Sequence, residues 1–172
     1  VGNERFEIKR ILGEGGTGVV YEAFDAERAM PVALKTIRYL DAQSLFRLKT
    51  EFRARADLEH RNLVRLGELF HDDGHWFFTM ELLEGESFYE WVRPEGVLDE
   101  RRLATSMRQL GGALDVLHRS GLVHRDLKPS NVIVTDKGRL VILDFGLVTT
   151  THGDLVSDGY VVGTAGYMAP EQ

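Results

Sequence analysis

Apolar and polar positions alternate with period two over Phe6-Leu12, Val19-Phe24, Val32-Arg38, Leu63-Phe70 and Trp76-Leu82. β-branched and aromatic residues are frequent there, so the pattern predicts five strands in the first half of the chain. Between the third and fourth, Leu45, Leu48, Phe52 and Ala56 recur at three- and four-residue steps, which predicts an amphipathic helix over Ser44-Leu58. Asp72-Asp73-Gly74-His75 carries the Asp-Gly signal of a hairpin turn between the last two strands. Beyond Leu82 the period changes. Asp99 is a helix cap, and Leu103, Met107, Leu110, Leu114 and Leu117 form a helical stripe behind it. Gly111 and Gly112 interrupt that helix at about 1 kcal/mol each relative to alanine, implying tight packing or local weakness. Two short strands, Asn131-Val134 and Arg139-Leu143, turn at Asp136-Lys137-Gly138, and Thr149-Gly163 is polar, aperiodic and loop-like.

Composition acts mainly by exclusion. The 172 residues are 43% hydrophobic and 28% charged, ordinary usage for a folded domain. With 21 basic against 27 acidic residues the formal net charge is −6, so no nucleic-acid partner is expected and any polyanion must be held locally. Zero cysteines exclude disulfides and thiolate chemistry. No apolar run approaches the roughly 18 residues of a membrane span, and a cytoplasmic location without membrane contact is expected. The chain opens at Val1 and stops at Ala169-Pro170-Glu171-Gln172 without a closing cap, so it reads as a piece of something longer, with fused domains expected.

Five places along the chain carry candidate chemistry. Leu12 is followed by Gly13-Glu14-Gly15-Gly16-Thr17-Gly18-Val19-Val20, a Gly-x-Gly-x-x-Gly-x-Val pattern in which backbone amides can approach phosphate oxygens without a Cβ in the way. A tight strand turn explains an isolated match equally well. Because Gly18 leads into a strand and is not followed by Lys-Ser or Lys-Thr, neither a dinucleotide fold nor a Walker loop fits. Lys35 lies in the apolar strand Val32-Ala33-Leu34-Lys35, where its charge either meets an anion or reaches solvent along its stem. Glu51 lies on the helix face of Leu48 and Phe52 and is an available partner. His124-Arg125-Asp126-Leu127-Lys128-Pro129-Ser130-Asn131 and Asp144-Phe145-Gly146 add two carboxylates, an amide and a lysine, a donor set suited to magnesium and phosphate. Among the histidines only His71 and His75 have metal-like spacing, and with no third ligand they read as hairpin residues.

Together these stretches, with Ala169-Pro170-Glu171, resemble the protein-kinase family in the family's order from about Phe6 to Gln172. Lys128 after Asp126, and Gly163-Thr164-Ala165-Gly166-Tyr167, are similar to the serine/threonine branch and to its eukaryotic-like bacterial members. The resemblance implies an α+β, bilobal fold. A five-stranded antiparallel N-lobe sheet with one regulatory helix would occupy residues 1–83 with the hinge, and the first part of a mainly helical C-lobe residues 84–172. It further implies ATP and Mg2+ as cofactors and a protein as substrate. Asp126 would accept or orient the substrate hydroxyl proton, Lys128 would steady the transferred phosphoryl group, and Asn131 and Asp144 would hold the metal. Lys35, fixed by Glu51, would pair the α- and β-phosphates. Leu12 to Val20 would cover the nucleotide. Val20, Ala33 and Ile133 would sandwich adenine, with Met80 as gatekeeper and the backbone of Glu81 to Leu83 reading the adenine edge, although core packing explains the apolar residues equally well.

By the same resemblance Arg125 awaits an activation-loop phosphate, with Ser157 the leading site and Thr149, Thr150 and Thr151 its competitors; Thr164 belongs to the substrate loop, and His124 is a packed residue and not a base. Two departures stand out. Position 55, usually apolar in the family, is Arg55, expected to reach solvent or to pair with Glu51 and compete with Lys35, biasing the helix outward. Everything the family carries after Ala-Pro-Glu is missing, so weak or no activity and exposed apolar surface are expected of this piece alone. A nucleotide-binding scaffold without catalysis and a small-molecule phosphotransferase are the rival readings.

Overall fold

Residues 4–15, 18–37, 42–143 and 165–167 are described by the structure, a computed structural model. They fall into two compact units: the chain up to Leu58 with Arg65–Leu82, and Glu59–Val64 with the chain from Leu83 on.

In the first unit, β1 (Phe6–Gly15), β2 (Gly18–Asp25), β3 (Met30–Ile37), β4 (Leu66–Asp72) and β5 (His75–Glu81) form one antiparallel sheet in the order β1-β2-β3-β5-β4. The helix α1 (Ala42–Ala56) connects β3 to β4. All five predicted strands and the helix are present. The β4–β5 turn places both Asp73 (φ 46°) and Gly74 (φ 75°) at positive φ, the conformation that matches strand twist in a two-residue hairpin. The fourth strand begins at Leu66 and not at Leu63, because the backbone before it is already committed elsewhere. Leu63 bridges Ile142, Val64 N–H donates to Ile142 O at 3.0 Å, and Ile142 N–H donates to Asn62 O at 2.9 Å.

Register assigns the two faces of the sheet. Phe6, Ala23, Val32, Leu34 and Phe77 pack together on one face, with Phe70 stacked on Phe77 at 5.1 Å and edge-on to Phe6 at 5.1 Å. Arg5 covers this cluster. It is clamped to Asp25 by two hydrogen bonds of 2.8 and 2.7 Å, also pairs with Glu27 and Glu68, and lies over the rings of Phe6 and Phe70. On the other face, Val20 opposes Lys35, which opposes Phe78, and Ala33 opposes Met80. Phe52 of α1 packs on Phe78 at 5.7 Å, so the helix covers this second face.

The second unit holds a small sheet, β6 (Glu86–Ser87), β7 (Val132–Val134) and β8 (Leu140–Ile142), and two helices, α2 (Phe88–Trp91) and α3 (Glu100–Arg119). A capping box, Ser87 with Glu90, starts α2, and the Ser87 hydroxyl and N–H hold the Glu90 carboxyl below its ordinary range. Asp99 caps α3 as expected, accepting from the N–H groups of Arg101 and Arg102. At the far end Gly121 (φ 72°) turns the chain, and Leu122 N–H returns to Leu117 O. The buried face of α3 is Ser106, Ala113 and Leu117, while Met107 is exposed. Gln109 explains the offset: its Oε1 accepts from Asn62 Nδ2 (2.8 Å) and Leu140 N (3.1 Å), and its Nε2 donates to Gly138 O (2.8 Å). This polar knot accompanies a buried side made of Ser106, Ala113 and Leu117, the last belonging to the predicted stripe, with Leu103, Leu110 and Leu114 half-buried. Gly111 and Gly112 are exposed, and among the described residues nothing lies within 4 Å of where a Cβ would stand on either, so no tight packing is seen there. Among the described residues no helix is long and apolar enough to cross a membrane.

Candidate functional site

The first unit gathers Val20, Ala33, Lys35 and Met80 on the sheet face covered by α1. Lys35 is only 4% exposed, so it does not reach solvent along its stem; a charge this deep requires compensation. Above it runs the β1–β2 hairpin. Gly13 opposes Val20, Glu14 opposes Val19 and Gly15 opposes Gly18, while Gly16 and Thr17 lie outside the described residues. Among the described residues, a Cβ on Gly13 or Gly15 would meet no atom within 4 Å, so no packing contact there calls for glycine and the backbone is open to a ligand. Gly18 differs. Its φ of +149° is a glycine conformation, and a Cβ there would fall 1.8 Å from Thr36 O. Leu12 is exposed, and Glu81 is tied to Arg65 by two hydrogen bonds, Glu81 N–H to Arg65 O and Arg65 N–H to Glu81 Oε1.

The helix glutamate has a different partner from the one the motifs imply. Glu51 Oε2 accepts from Arg55 Nη1 at 2.9 Å, and among the described residues no ion pair joins Glu51 to Lys35. Arg55 does not snorkel: it is 6% exposed, and its Nε is buried without a hydrogen-bond partner. The i,i+4 pairing considered from the sequence is therefore present, and it occurs in a buried setting.

In the second unit, a turn of 3-10 helix at Pro129–Asn131 brings three expected residues together. Lys128 Nζ lies 2.9 Å from Asp126 Oδ2, and Asn131 Nδ2 donates to Asp126 O (2.8 Å) and Oδ2 (3.1 Å). With its nitrogen committed to Asp126, the Asn131 amide keeps Oδ1, a hard oxygen donor of the kind magnesium accepts. His124 is 3% exposed and fixed by two hydrogen bonds: Asp126 N–H donates to Nδ1 (3.3 Å), and Nε2–H donates to Leu143 O (2.9 Å). Only the tautomer protonated at Nε2 satisfies both, so His124 orients the turn as a packed residue. Arg125 between them is exposed at a left-handed φ of 65°. Ile133 lies on β7 opposite Ser87 and Val141, and Leu83 is half-buried.

Asp144, the second expected metal ligand, and Phe145 lie outside the described residues, as do Thr149, Thr150, Thr151, Ser157, Thr164 and Glu171. Among the described residues no group of three or more His, Asp or Glu side chains is placed to hold a metal. His71 stacks on Trp76 at 4.5 Å, a hairpin contact. Two residues with no sequence signal of their own matter locally: Gln109, and Thr36, whose hydroxyl bonds both backbone groups of Val19. A β-branched residue in a strand looks the same from the sequence whether or not its oxygen is used.

The sequence model of the protein kinase domain family matches residues 6–172. The chain belongs to that family. Its similar relatives make it a bacterial-type serine/threonine kinase domain. Serine/threonine-protein kinase PknL of Mycobacterium tuberculosis is 38% identical over 174 residues, covering 99% of this chain and 44% of that protein. Serine/threonine-protein kinase PknE of the same species is 36% identical over 171 residues, covering 97% of this chain and 30% of that protein. The crystal structure of Rad53 1-466 in complex with AMP-PNP aligns with a TM-score of 0.73 at 27% identity, over 84% of this chain and 39% of that one. The chain thus spans less than half the length of the relatives it matches.

Proposed function

We propose that the protein carrying this chain transfers the γ-phosphoryl group of ATP to serine or threonine hydroxyls of proteins. The observation that carries this reading is the Asp126 carboxylate held between Lys128 and Asn131 on one short turn. A substrate hydroxyl hydrogen-bonded to Asp126 is oriented for attack on the γ-phosphorus. As the new O–P bond forms, the bond from phosphorus to the β–γ bridging oxygen breaks, ADP leaves, and the hydroxyl proton passes to Asp126. Lys128, beside that carboxylate, balances charge on the moving phosphoryl oxygens. Lys35 serves the α- and β-phosphates, and Gly13 and Gly15 leave the backbone open to them. Asn131 through Oδ1, together with Asp144, would hold Mg2+, which neutralises the phosphate oxygens. The AMP-PNP in the Rad53 complex supports a nucleotide for this chain as well.

A second reading, a nucleotide-binding scaffold without transfer, draws on the Glu51–Arg55 pair. Radiolabel transfer from ATP to a protein substrate by the whole protein separates the two. Transfer that Asp126→Asn lowers by about 100-fold or more while nucleotide binding persists is expected. Nucleotide binding with no transfer by the unaltered protein would establish the scaffold.

A further inference from the structure

The β2–β3 ladder ends at the pair Val20 and Lys35, two residues short of Gly18, where β2 emerges from the glycine hairpin. The next residue outward, Val19, has its two backbone groups taken up by a side chain. Val19 N–H donates to Thr36 Oγ1 at 3.0 Å, and the Thr36 hydroxyl donates back to Val19 O at 3.2 Å. One hydroxyl thus completes the pairing that the ladder leaves open, as both donor and acceptor. Directly before it, Gly18 lies so close to the Thr36 backbone that any Cβ would fall 1.8 Å from Thr36 O. The outgoing limb of the hairpin is therefore fixed to position 36 twice, by close backbone approach and by a pair of hydrogen bonds.

Position matters as much as the bonds. Side chains alternate along a strand, so Thr36 projects from the face opposite Lys35, the side of Leu34 and of Phe77, with which it is in register. It cannot touch a nucleotide on the Lys35 face. Whatever it does for that nucleotide it does through Val19 and Gly18, from behind the sheet.

We infer that Thr36 is a positioning residue that holds the glycine hairpin in the geometry its backbone amides need for phosphate, an inference that rests on the nucleotide reading proposed above. A valine at 36 serves the strand and the core rim as well as threonine does, so strand formation alone makes no use of the oxygen. The hydroxyl is used only at Val19. Its removal leaves the Val19 N–H and C=O to water and lets the hairpin limb move relative to Lys35, one register position away.

The test uses the whole protein with Thr36→Val, Thr36→Ala and Thr36→Ser, read by amide hydrogen exchange of the segment spanning Gly13 to Val20 and by kinetics with Mg-ATP. Exchange needs no nucleotide. Thr36→Val and Thr36→Ala are expected to speed exchange in this segment and to raise the KM for ATP about tenfold, the order set by hydrogen bonds of ordinary strength, with kcat within about twofold. Thr36→Ser, which keeps the oxygen, is expected to restore both. Unchanged exchange in Thr36→Val overturns the clamp. Faster exchange with an unchanged KM, or Thr36→Ser behaving like Thr36→Val, overturns the positioning role. If the unaltered protein binds no nucleotide, the function proposed above fails, and the exchange comparison still decides whether Thr36 holds the hairpin.

Discussion

Replacing Arg55 by methionine tests the electrostatics of α1 (Ala42–Ala56) most directly. The Arg55 side chain is 6% exposed, yet its guanidinium has one ion pair, to Glu51 at 2.9 Å, and an Nε with no partner. A buried unsatisfied donor costs about 1–3 kcal/mol. The compensating pair joins Arg55 to a glutamate that is 28% exposed, so solvent screens it and it returns no more than about 1 kcal/mol. Methionine keeps most of the stem and removes both terms, and apolar replacement of buried ionic groups is often neutral or stabilising by about 1–4 kcal/mol. Arg55→Met is therefore expected to stabilise the protein by about 1–2 kcal/mol in urea unfolding at unchanged m-value. Glu51→Gln should instead destabilise the unaltered protein, because it strands the guanidinium, and be nearly neutral in the Arg55→Met background. Destabilisation by Arg55→Met of more than about 1 kcal/mol would refute the reasoning and show that the guanidinium is well compensated. Protein kinases need the strand lysine paired with the helix glutamate, so freeing Glu51 is also expected to raise kcat/KM; unchanged activity would make the pair irrelevant to catalysis.

Asp25, 1% exposed, is held below the ordinary carboxylate range first by its hydrogen bonds from Arg5 and then by the N–H groups of Arg28 and Glu27. A depressed folded value means that this contribution is full above the unfolded pKa of about 3.9 and is lost as pH falls through the folded one. Asp25→Asn is expected to cost about 3–5 kcal/mol near neutrality and to flatten the acid limb of a stability profile; an unchanged acid limb would count against the clamp. Gly18→Ala is expected to destabilise by about 2–6 kcal/mol through strain and overlap with Thr36 O. Gly15→Ala, with open space around it, should leave the unfolding midpoint nearly unchanged and weaken nucleotide binding, which calorimetry on both variants would read. Gly112→Ala should stabilise α3 by about 1 kcal/mol, and a loss in thermal unfolding would mean that something packs against that glycine in the whole protein.

The five strands, both long helices and the Asp73-Gly74 turn were legible because each is written in local periodicity or turn chemistry. Asp126, Lys128 and Asn131 were legible as a set for a related reason. They lie within six residues, and a single 3-10 turn is enough to bring them together. Less was visible where a residue's role depends on a distant neighbour. Of the predicted α3 stripe Leu117 is buried and Met107 is exposed, while Ser106 and Ala113 join the buried face beside Gln109, whose amide meets Asn62, Gly138 and Leu140, far away along the chain.

The sequence alone settled which residues bear charge, which strand carries Lys35 and which turn carries Asp126, since covalent order and period fix those without any packing. Tertiary structure decided which cation Glu51 takes, that Arg55 is sealed from water with a donor to spare, and that the Thr36 oxygen serves Val19. Those choices turn on separations of a few ångströms and on the exclusion of water, and both exist only once the sheet and helix have been brought together.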